Sequence, residues 1–396
     1  MKIAIATPTL YYAESPYNHL FSDILGGFVQ AGYRVVRYAA CRTESETDFL
    51  YGFSESKIEC KRTLRKESRH SNIISRYLRD SMTAIRMARG IRRGNEDVLF
   101  EDVSYSSFWT VRAAKKKGMK IVAMVQDVWP DNAVQTGLIR NGGLLYRFFE
   151  AFQRYVYRNA DRIVCISDDI RAFLIEKGVA PDRISVIYNW GYGDAPVSIP
   201  CEKNAFAEKY GFSKERFYAV YAGNIGRMQN VELVLRAAAL LASEPDIQVL
   251  IVGDGAKKEE IERMAVGCRN VTVLPMQPSS LAEHVYSMAG VNLIPLIEGG
   301  AKTAMPSKTA VILSCGKPTV FCFGANTSFS ERLQRYPGCR SVSPTDETEL
   351  AEAIREMRRN RDGASVYALF SELFTRSGNV ARYVEAVRFE EPGSDR

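Results

Sequence analysis

The sequence predicts an α/β protein of two parallel-sheet domains, each with helices on both faces. Three observations predict it. Short apolar runs of strand length alternate with helix-period segments from end to end, the pattern of repeated βαβ units. A stretch rich in glycine and proline, Gly191 to Pro200, interrupts that alternation, and the pattern then restarts. The length, 396 residues, is that of two domains, each large enough for its own core.

Composition narrows the class. Hydrophobic residues make up 46% and charged residues 25%, ordinary values for a globular protein. No apolar run reaches the roughly 20 residues needed to cross a bilayer. The N-terminal MKIAIATPTL reads as a first buried strand, not a signal peptide, because a long apolar h-region and a small-residue cleavage site are missing. Eight cysteines are scattered without a C-x-x-C pair, and with three histidines a histidine-rich metal site is not expected. This pattern fits a reducing cytoplasm.

In the first half, Lys2–Thr7 reads as a strand, Asn18–Gln30 as a helix closed by Gly32, and Tyr33–Tyr38 as a second strand. No G-x-G-x-x-G follows the first strand, so a dinucleotide site has no support there. From Lys57 to Arg93 twelve Lys or Arg face only Glu59, Glu67 and Asp80, an excess larger than the whole net charge of +7. Within it, Ile73–Arg93 is an amphipathic helix, with Ile74, Tyr77 or Leu78, Met82, Ile85 and Ala88 at helical spacing. Two readings stand: a solvated basic face, or docking on an anionic lipid surface. Nucleic acid is disfavoured, since no nucleic-acid module accompanies the charge.

Strands follow at Val98–Glu101 and Lys120–Val125, with a helix between them ending at Lys117-Gly118. Gln126-Asp127-Val128-Trp129-Pro130-Asp131 then sits at the carboxyl end of a buried strand, where open α/β sheets place ligands. Leu144–Asn159 is a long helix, Arg162–Ile166 a strand, Asp168–Lys177 a helix ended by Gly178, and Ile184–Tyr188 the last strand.

In the second half, Tyr218–Tyr221 is a strand, followed by Gly223-Asn224-Ile225-Gly226-Arg227 and the helix Val231–Ala242. The strand Gln248–Val252 leads to Gly253-Asp254-Gly255 and the helix Lys257–Val266. Val271–Leu274 is a strand before Pro275-Met276-Gln277-Pro278, and Ser280–Met288 a helix. Val291–Leu296, a buried strand, leads through Gly299 and Gly300 to Pro306-Ser307-Lys308 and the apolar helix Thr309–Cys315. Pro306 suits a first helical turn and Ser307 a cap. Backbone N–H groups, a helix dipole and the Lys308 charge can together hold an anion; the alternative is an ordinary β-loop-α unit with a solvent lysine. Thr319–Phe323 is a strand, and Glu349–Asn360 and Ser365–Phe389 read as helical.

Across essentially its whole length the chain resembles the retaining GT-B glycosyltransferases of family 4, in particular the capsule, O-antigen and exopolysaccharide type. The residues that carry this are QDVWPDNAV from Gln126, RNADRIVCISDDIRAFLIEKGV from Arg158, ISVIYNW from Ile184, YAGNIGRMQNVELVLRAA from Tyr221, IVGDG from Ile251 and the MPSK…GKP stretch. The resemblance implies two Rossmann-like domains facing across a cleft. Residues 1–190 would form the acceptor and membrane side, residues 191–372 the nucleotide-sugar donor side, and 373–396 a helix returning to the first domain. It implies a nucleotide-sugar donor, with UDP expected as the nucleotide, and a lipid-linked glycan acceptor. It also implies an enzyme peripheral on the inner face of the cell membrane, with no metal or other cofactor. The absence of any D-x-D fits the last point.

By this resemblance Lys308, Asp127 and Arg227 are the catalytic candidates. Gly223, Asn224, Gly226, Gln229, Gly253, Asp254 and Gly255 border the donor phosphates. Met276, Gln277 and Pro278 fall where relatives hold the nucleobase, Glu298 faces the sugar hydroxyls, Gly299 and Gly300 the donor sugar or its phosphates, and Thr303, Pro306 and Ser307 complete the donor-binding set. Tyr17, Asn18, His19 and Trp129 are the acceptor candidates. No general base is required, because the departing diphosphate can take the acceptor proton. The sequence departs from the family at five positions. Thr303 and Val311 stand where an E-x7-E pair is usual, Asn224 and Gln229 where Arg and Lys are usual, and Gln126 where histidine is common. A catalytically silent partner subunit and a sugar-nucleotide epimerase are the alternatives. Local alternatives also stand. Asp127 and His19 can be caps, Asp254 a turn residue, Trp129 and Trp190 packing residues, and His284 a structural residue.

Overall fold

A computed structural model divides the chain into two compact units, Met1–Tyr188 with Ser377–Arg396, and Asn189–Arg376. The structure describes residues 1–7, 18–41, 58–65 and 73–389, without the side chains at 18, 73 and 74.

The first unit holds seven described strands: β1 (Lys2–Thr7), β2 (Arg34–Cys41), β3 (Ile58–Leu64), β4 (Val98–Asp102), β5 (Lys120–Val125), β6 (Arg162–Cys165) and β7 (Ile184–Val186). They form one parallel sheet in the order β3-β2-β1-β4-β5-β6-β7. A parallel strand is covered by helices on both faces, so it needs consecutive apolar residues. Ile3 to Ala6 and Ile121 to Val125 supply them and are fully buried. Each such aliphatic side chain contributes about 1.5–3 kcal/mol on burial.

Sequence reading missed β3. Its sequence, IECKRTL, looks like part of a basic loop, yet it pairs in register with β2 from Val35↔Ile58 to Cys41↔Leu64. Charged residues are tolerated because β3 is an edge strand, where charge also blocks pairing with other chains.

The helix Ile73–Arg93 corrects the expected burial pattern. Tyr77, Ala84, Met87, Ala88 and Ile91 are buried, whereas Leu78 (55% exposed) and Met82 (52%) face outward. Apolar residues occupy two neighbouring stripes, and helical spacing alone does not say which one packs. The buried stripe includes Asp80, which receives a 2.5 Å ion pair from Arg65. Arg89, Arg92 and Arg93 are exposed and have no carboxylate partner among the described residues. Tyr77 packs edge-on against Phe149 at 5.0 Å and Phe148 at 5.5 Å, tying this helix to the helix Leu144–Asn159.

The tail is two helices, Gly363–Leu373 and Arg376–Ala386, rather than one. The second belongs to the first unit. Tyr383 is fully buried there, 5.9 Å from the Phe100 ring, and Arg382 donates to Val186 O at 2.6 Å.

The second unit has β8 (Phe217–Asn224), β9 (Ile247–Asp254), β10 (Val271–Leu274), β11 (Val291–Pro295), β12 (Thr319–Cys322) and β13 (Cys339–Ser341). These are parallel too, in the order β10-β9-β8-β11-β12-β13. Val249, Ile251, Leu293 and Val320 on the strands pack with Leu235 and Ala237 of the helix Val231–Leu240 and with Ile354 of the helix Glu347–Arg359. Sequence reading did not find β13 or the helix Ser328–Leu333, whose N-terminus Thr327 caps by accepting from Ser330 N at 3.1 Å.

All eight cysteines are free thiols. No described helix is long and apolar enough to cross a membrane.

Candidate active site

In the second unit strand order reverses between β8 and β11: β9 and β10 lie on one side, β12 and β13 on the other. Open parallel sheets bind ligands outside the carboxyl ends of the strands at this reversal. The loops singled out from sequence are the ones that emerge there. Gly223 and Asn224 end β8, Gly253 and Asp254 end β9 in register with them, and Leu296 to Gly300 follow β11. Backbone contacts tie these loops together: Ile225 N donates to Asp254 O at 2.7 Å, and Ile297 N to Met228 O at 3.0 Å.

Lys308 lies against the end of β8. Its Nζ donates to Ala222 O at 2.9 Å and stands 3.8 Å above the centre of the Tyr221 ring. It has no carboxylate partner among the described residues. Burial disfavours its ammonium form and lowers the amine from 10.5 to about 7. An ammonium held without a counter-charge at the strand reversal is ready to receive an anion.

The glycines around it are required by space. A Cβ on Gly253 would stand 2.0 Å from Gly223 O, and one on Gly255 2.5 Å from Ile225 O. Gly223, at φ 138°, leaves room for Lys308, whose Nζ would lie 3.3 Å from a Cβ there. A Cβ on Gly226 would press on the Asn224 and Gln229 side chains. The Gln229 Oε1 is buried without a hydrogen-bond partner.

The other candidates at this edge differ in their surroundings. Arg227 and Glu298 are exposed, with no ion pair or hydrogen bond among the described residues. Met276, Gln277 and Pro278 follow β10 on the same edge. Gln277 is held by Tyr210 Oη at 2.9 Å and Lys209 Nζ at 3.0 Å, and Met276 is 47% exposed. Thr303, by contrast, is fully buried, and its hydroxyl donates to Gly300 O at 3.3 Å, so it braces the Gly299-Gly300 turn. Asp254 Oδ1 accepts from Gly255 N at 2.8 Å, a turn contact.

The helix after the glycine loop differs from expectation. It begins at Thr309 and ends at Ser314, so Pro306 and Ser307 precede it and no side chain caps it. Six residues give a weak dipole, so Lys308 itself supplies the positive charge.

A proton-linked outcome follows. In the free protein Lys308 is partly neutral above pH 7, and a bound diphosphate favours the ammonium. Binding of a diphosphate there should therefore take up close to one proton at pH about 8, and affinity should fall by up to roughly tenfold per pH unit above about pH 7.5. Calorimetry in buffers of different ionisation enthalpy measures the uptake; a pH-independent affinity would contradict it.

The first unit reverses strand order between β1 and β4. Asp127 follows β5, next to β4, with its residue surface exposed. Surrounding protein still displaces enough bulk water to push its carboxyl from 3.8 up to about 6. Its ionised form is thus penalised in the folded state. That penalty is absent below pH about 4, grows as pH rises, and is complete above about 6. Asp127→Asn should raise Tm at pH 7.5 and lose that advantage as pH falls toward 4, a direction calorimetry reads directly.

Glu101, missed in the sequence, is the last-but-one residue of β4 at this reversal and is fully buried. Burial holds its carboxyl well above the ordinary value, partly offset by the Ser107 and Thr110 hydroxyls. An acid closing the apolar run VLFED was the available signal.

Trp129 is half-buried, its ring 5.4 Å from Phe149 and 5.7 Å from Tyr105. Trp190 is buried at 2% exposure. His19 is half-buried in the first turns of the helix Asn18–Gln30, while Tyr17 and the side chain of Asn18 lie outside the described residues. His284 Nδ1 accepts from Ala205 N at 3.1 Å, a structural contact.

Comparison with known proteins follows the same division. A family model described as Glycosyltransferase Family 4 matches residues 21–190, and one described as Glycosyl transferases group 1 matches 216–360. The chain is 30% identical over 255 residues to a putative colanic acid biosynthesis glycosyl transferase, WcaI, of Escherichia coli K12, covering 61% of each. It is 28% identical over 244 residues to a probable glycosyltransferase, WbjE, of Pseudomonas aeruginosa, covering 61% of this chain and 60% of that one. The match thus spans about three fifths of these relatives' length. The fold is similar to Anabaena Alr3699/HepE, solved in complex with UDP and glucose, with a TM-score of 0.69 at 14% identity over 98% of this chain and 99% of that one.

Proposed function

Since the chain belongs to the family 4 glycosyltransferases and has their GT-B fold, we propose that it transfers a sugar from a nucleotide-diphosphate donor to a lipid-diphosphate-linked glycan during surface polysaccharide synthesis. The donor is a UDP-sugar, the group a hexosyl or N-acetylhexosaminyl unit, and the transfer retains anomeric configuration. The observation that carries this is Lys308, which has no carboxylate partner among the described residues and lies at the strand reversal of the second unit beside the glycine ends of β8 and β9. As the diphosphate departs, negative charge grows on its oxygens. A fixed ammonium and close-approaching backbone stabilise that charge more than they stabilise the ground state. Arg227, exposed on the loop after β8, is free to swing onto the same phosphates. Asp127, at the matching edge of the first unit, orients the acceptor hydroxyl. The departing diphosphate takes the acceptor proton, and no step needs a metal.

The acceptor class and a peripheral position on the inner membrane face rest on the helix Ile73–Arg93. Exposed Leu78 and Met82 lie on it together with Arg89, Arg92 and Arg93, which have no carboxylate partner among the described residues. Apolar side chains and exposed arginines on one helix suit an anionic bilayer surface, at roughly 1 kcal/mol per basic residue. Flotation with liposomes containing anionic lipid should carry the protein upward at low salt and lose it at high salt. Equal flotation with neutral vesicles would count against the basic helix.

The test of function is a thermal-shift screen against sugar nucleotides, followed by acceptor-dependent release of nucleoside diphosphate. One UDP-sugar should raise Tm and be consumed only when a lipid-linked glycan is present. A catalytically silent partner subunit is the second reading, favoured by the buried Thr303 and Val311 where family acids are usual. A silent subunit would bind neither UDP nor GDP.

A further inference from the structure

A groove in the first unit is used by neither the donor edge nor the Asp127 loop. About 210 Å³ in volume, it lies between the helix Ile73–Arg93 and the helix Phe108–Lys117. Its floor is apolar: Ile85 and Ala88 from the first helix, Trp109 and Ala113 from the second, all buried or half-buried. Its rim is cationic: Arg89 and Arg92 from the first, Arg112 and Lys116 from the second, all exposed.

The sequence builds this by spacing. Leu78, Met82, Ile85, Arg89 and Arg92 follow one another at steps of three or four residues, so they share one stripe of their helix. Trp109, Arg112 and Lys116 do the same on the neighbour. On both helices the apolar residues come first and the cations follow. The two helices connect β3 to β4 and β4 to β5 in a parallel sheet, so both run back from its carboxyl edge to its amino edge. The apolar part of the surface therefore lies toward the carboxyl edge and the cations toward the amino edge.

None of the four cations has a carboxylate partner among the described residues; Arg112 lies over the Phe108 ring at 5.9 Å. Like charges gathered around an apolar floor repel one another and focus their field on an anion that enters. Guanidinium groups are weakly hydrated and meet phosphate oxygens with paired N–H donors. A phosphodiester carries one charge, whereas a phosphomonoester carries about −1.5 to −2 near pH 7 and answers four cations better. The apolar strip that continues from the cations suits hydrocarbon attached to that phosphate. The cations stand at the edge opposite Asp127, so the phosphate is not that of the reacting acceptor.

We propose that this groove binds the phosphomonoester headgroup of a membrane lipid. The inference rests on the membrane reading of the helix Ile73–Arg93 and deepens it. Diffuse attraction needs only the charge of that helix, whereas a headgroup site needs the second helix as well.

The test is vesicle binding by the full chain. Vesicles containing phosphatidic acid should bind roughly tenfold more tightly than phosphatidylglycerol vesicles of equal zeta potential. The double change Arg112→Gln with Lys116→Gln should abolish that preference while Tm and UDP affinity stay unchanged, since both positions are exposed. Arg93→Gln with Lys115→Gln removes the same charge from exposed positions outside the groove and should keep the preference. Inorganic phosphate at matched ionic strength should not displace the vesicles, because it gains nothing from the apolar floor. Three results overturn the inference: a preference retained in the groove variant, a preference lost in the control variant, or displacement by phosphate, which would make this a site for a free anion. If both vesicle types bind alike, the headgroup site alone fails and the membrane reading stands. If neither binds, both fail.

Discussion

Lys308→Met is expected to lower kcat/KM for sugar transfer by about 10²–10³-fold, the usual effect of removing one donor that faces developing negative charge. The fold should survive. The lost hydrogen bond leaves Ala222 O still accepting from Tyr286 Oη at 3.4 Å, and a long apolar side chain keeps the packing over Tyr221. Stability should rise. Burial holds the amine at about 7, below its ordinary 10.5, so the folded state is penalised wherever the unfolded chain carries the charge. That penalty is complete below about pH 7, shrinks between 7 and 10.5, and is gone above. The variant should thus melt at the same or a higher temperature at pH 7 and match the native protein near pH 11. Full activity in a folded Lys308→Met protein would remove the residue from the mechanism. Lower activity with a lowered Tm would make its role structural.

The second large effect is at Gly253. An alanine Cβ there would sit 2.0 Å from Gly223 O, and the obstacle is backbone in the paired strand, not a side chain that can turn aside. The ends of β8 and β9 would have to separate, moving Gly223 and Asn224, which carry the candidate phosphate contacts. Gly253→Ala should therefore destabilise the second unit by about 2–4 kcal/mol, in the range of core overpacking. Its melting transition should fall by roughly 5–15 °C. UDP affinity should fall with it. Gly193→Ala is the control: nothing lies within 4 Å of a Cβ there, and the change should stay within about 0.5 kcal/mol. Native stability in Gly253→Ala would mean that the β8 and β9 ends are more compliant than the packing indicates.

These two residues illustrate what could be read before folding. Strand and helix alternation was plain, because strands such as Ile121 to Val125 are buried on both faces and must be apolar throughout. The loops at the carboxyl ends followed from that, since parallel connectivity puts every strand-to-helix loop on one edge. β3 was hidden because an edge strand answers to solvent, so its Lys61 and Arg62 imitate a loop. In the helix Ile73–Arg93, periodicity found the apolar residues but not the face that packs. Leu78 and Met82 point outward because the buried stripe runs through Tyr77, Ala84 and Ile91. At the donor edge, residue types were visible but orientation was not. Only coordinates separate Lys308, turned onto the end of β8, from Thr303, turned inward as a brace.

The central claim is that the carboxyl edge of the second unit is a nucleoside-diphosphate site organised by Lys308. Calorimetric titration of UDP into the native chain and into Lys308→Met tests it most directly. One site per chain is expected in the native protein, with affinity reduced by at least tenfold in the variant. No binding to the native chain, or equal affinity in both proteins, would contradict the claim.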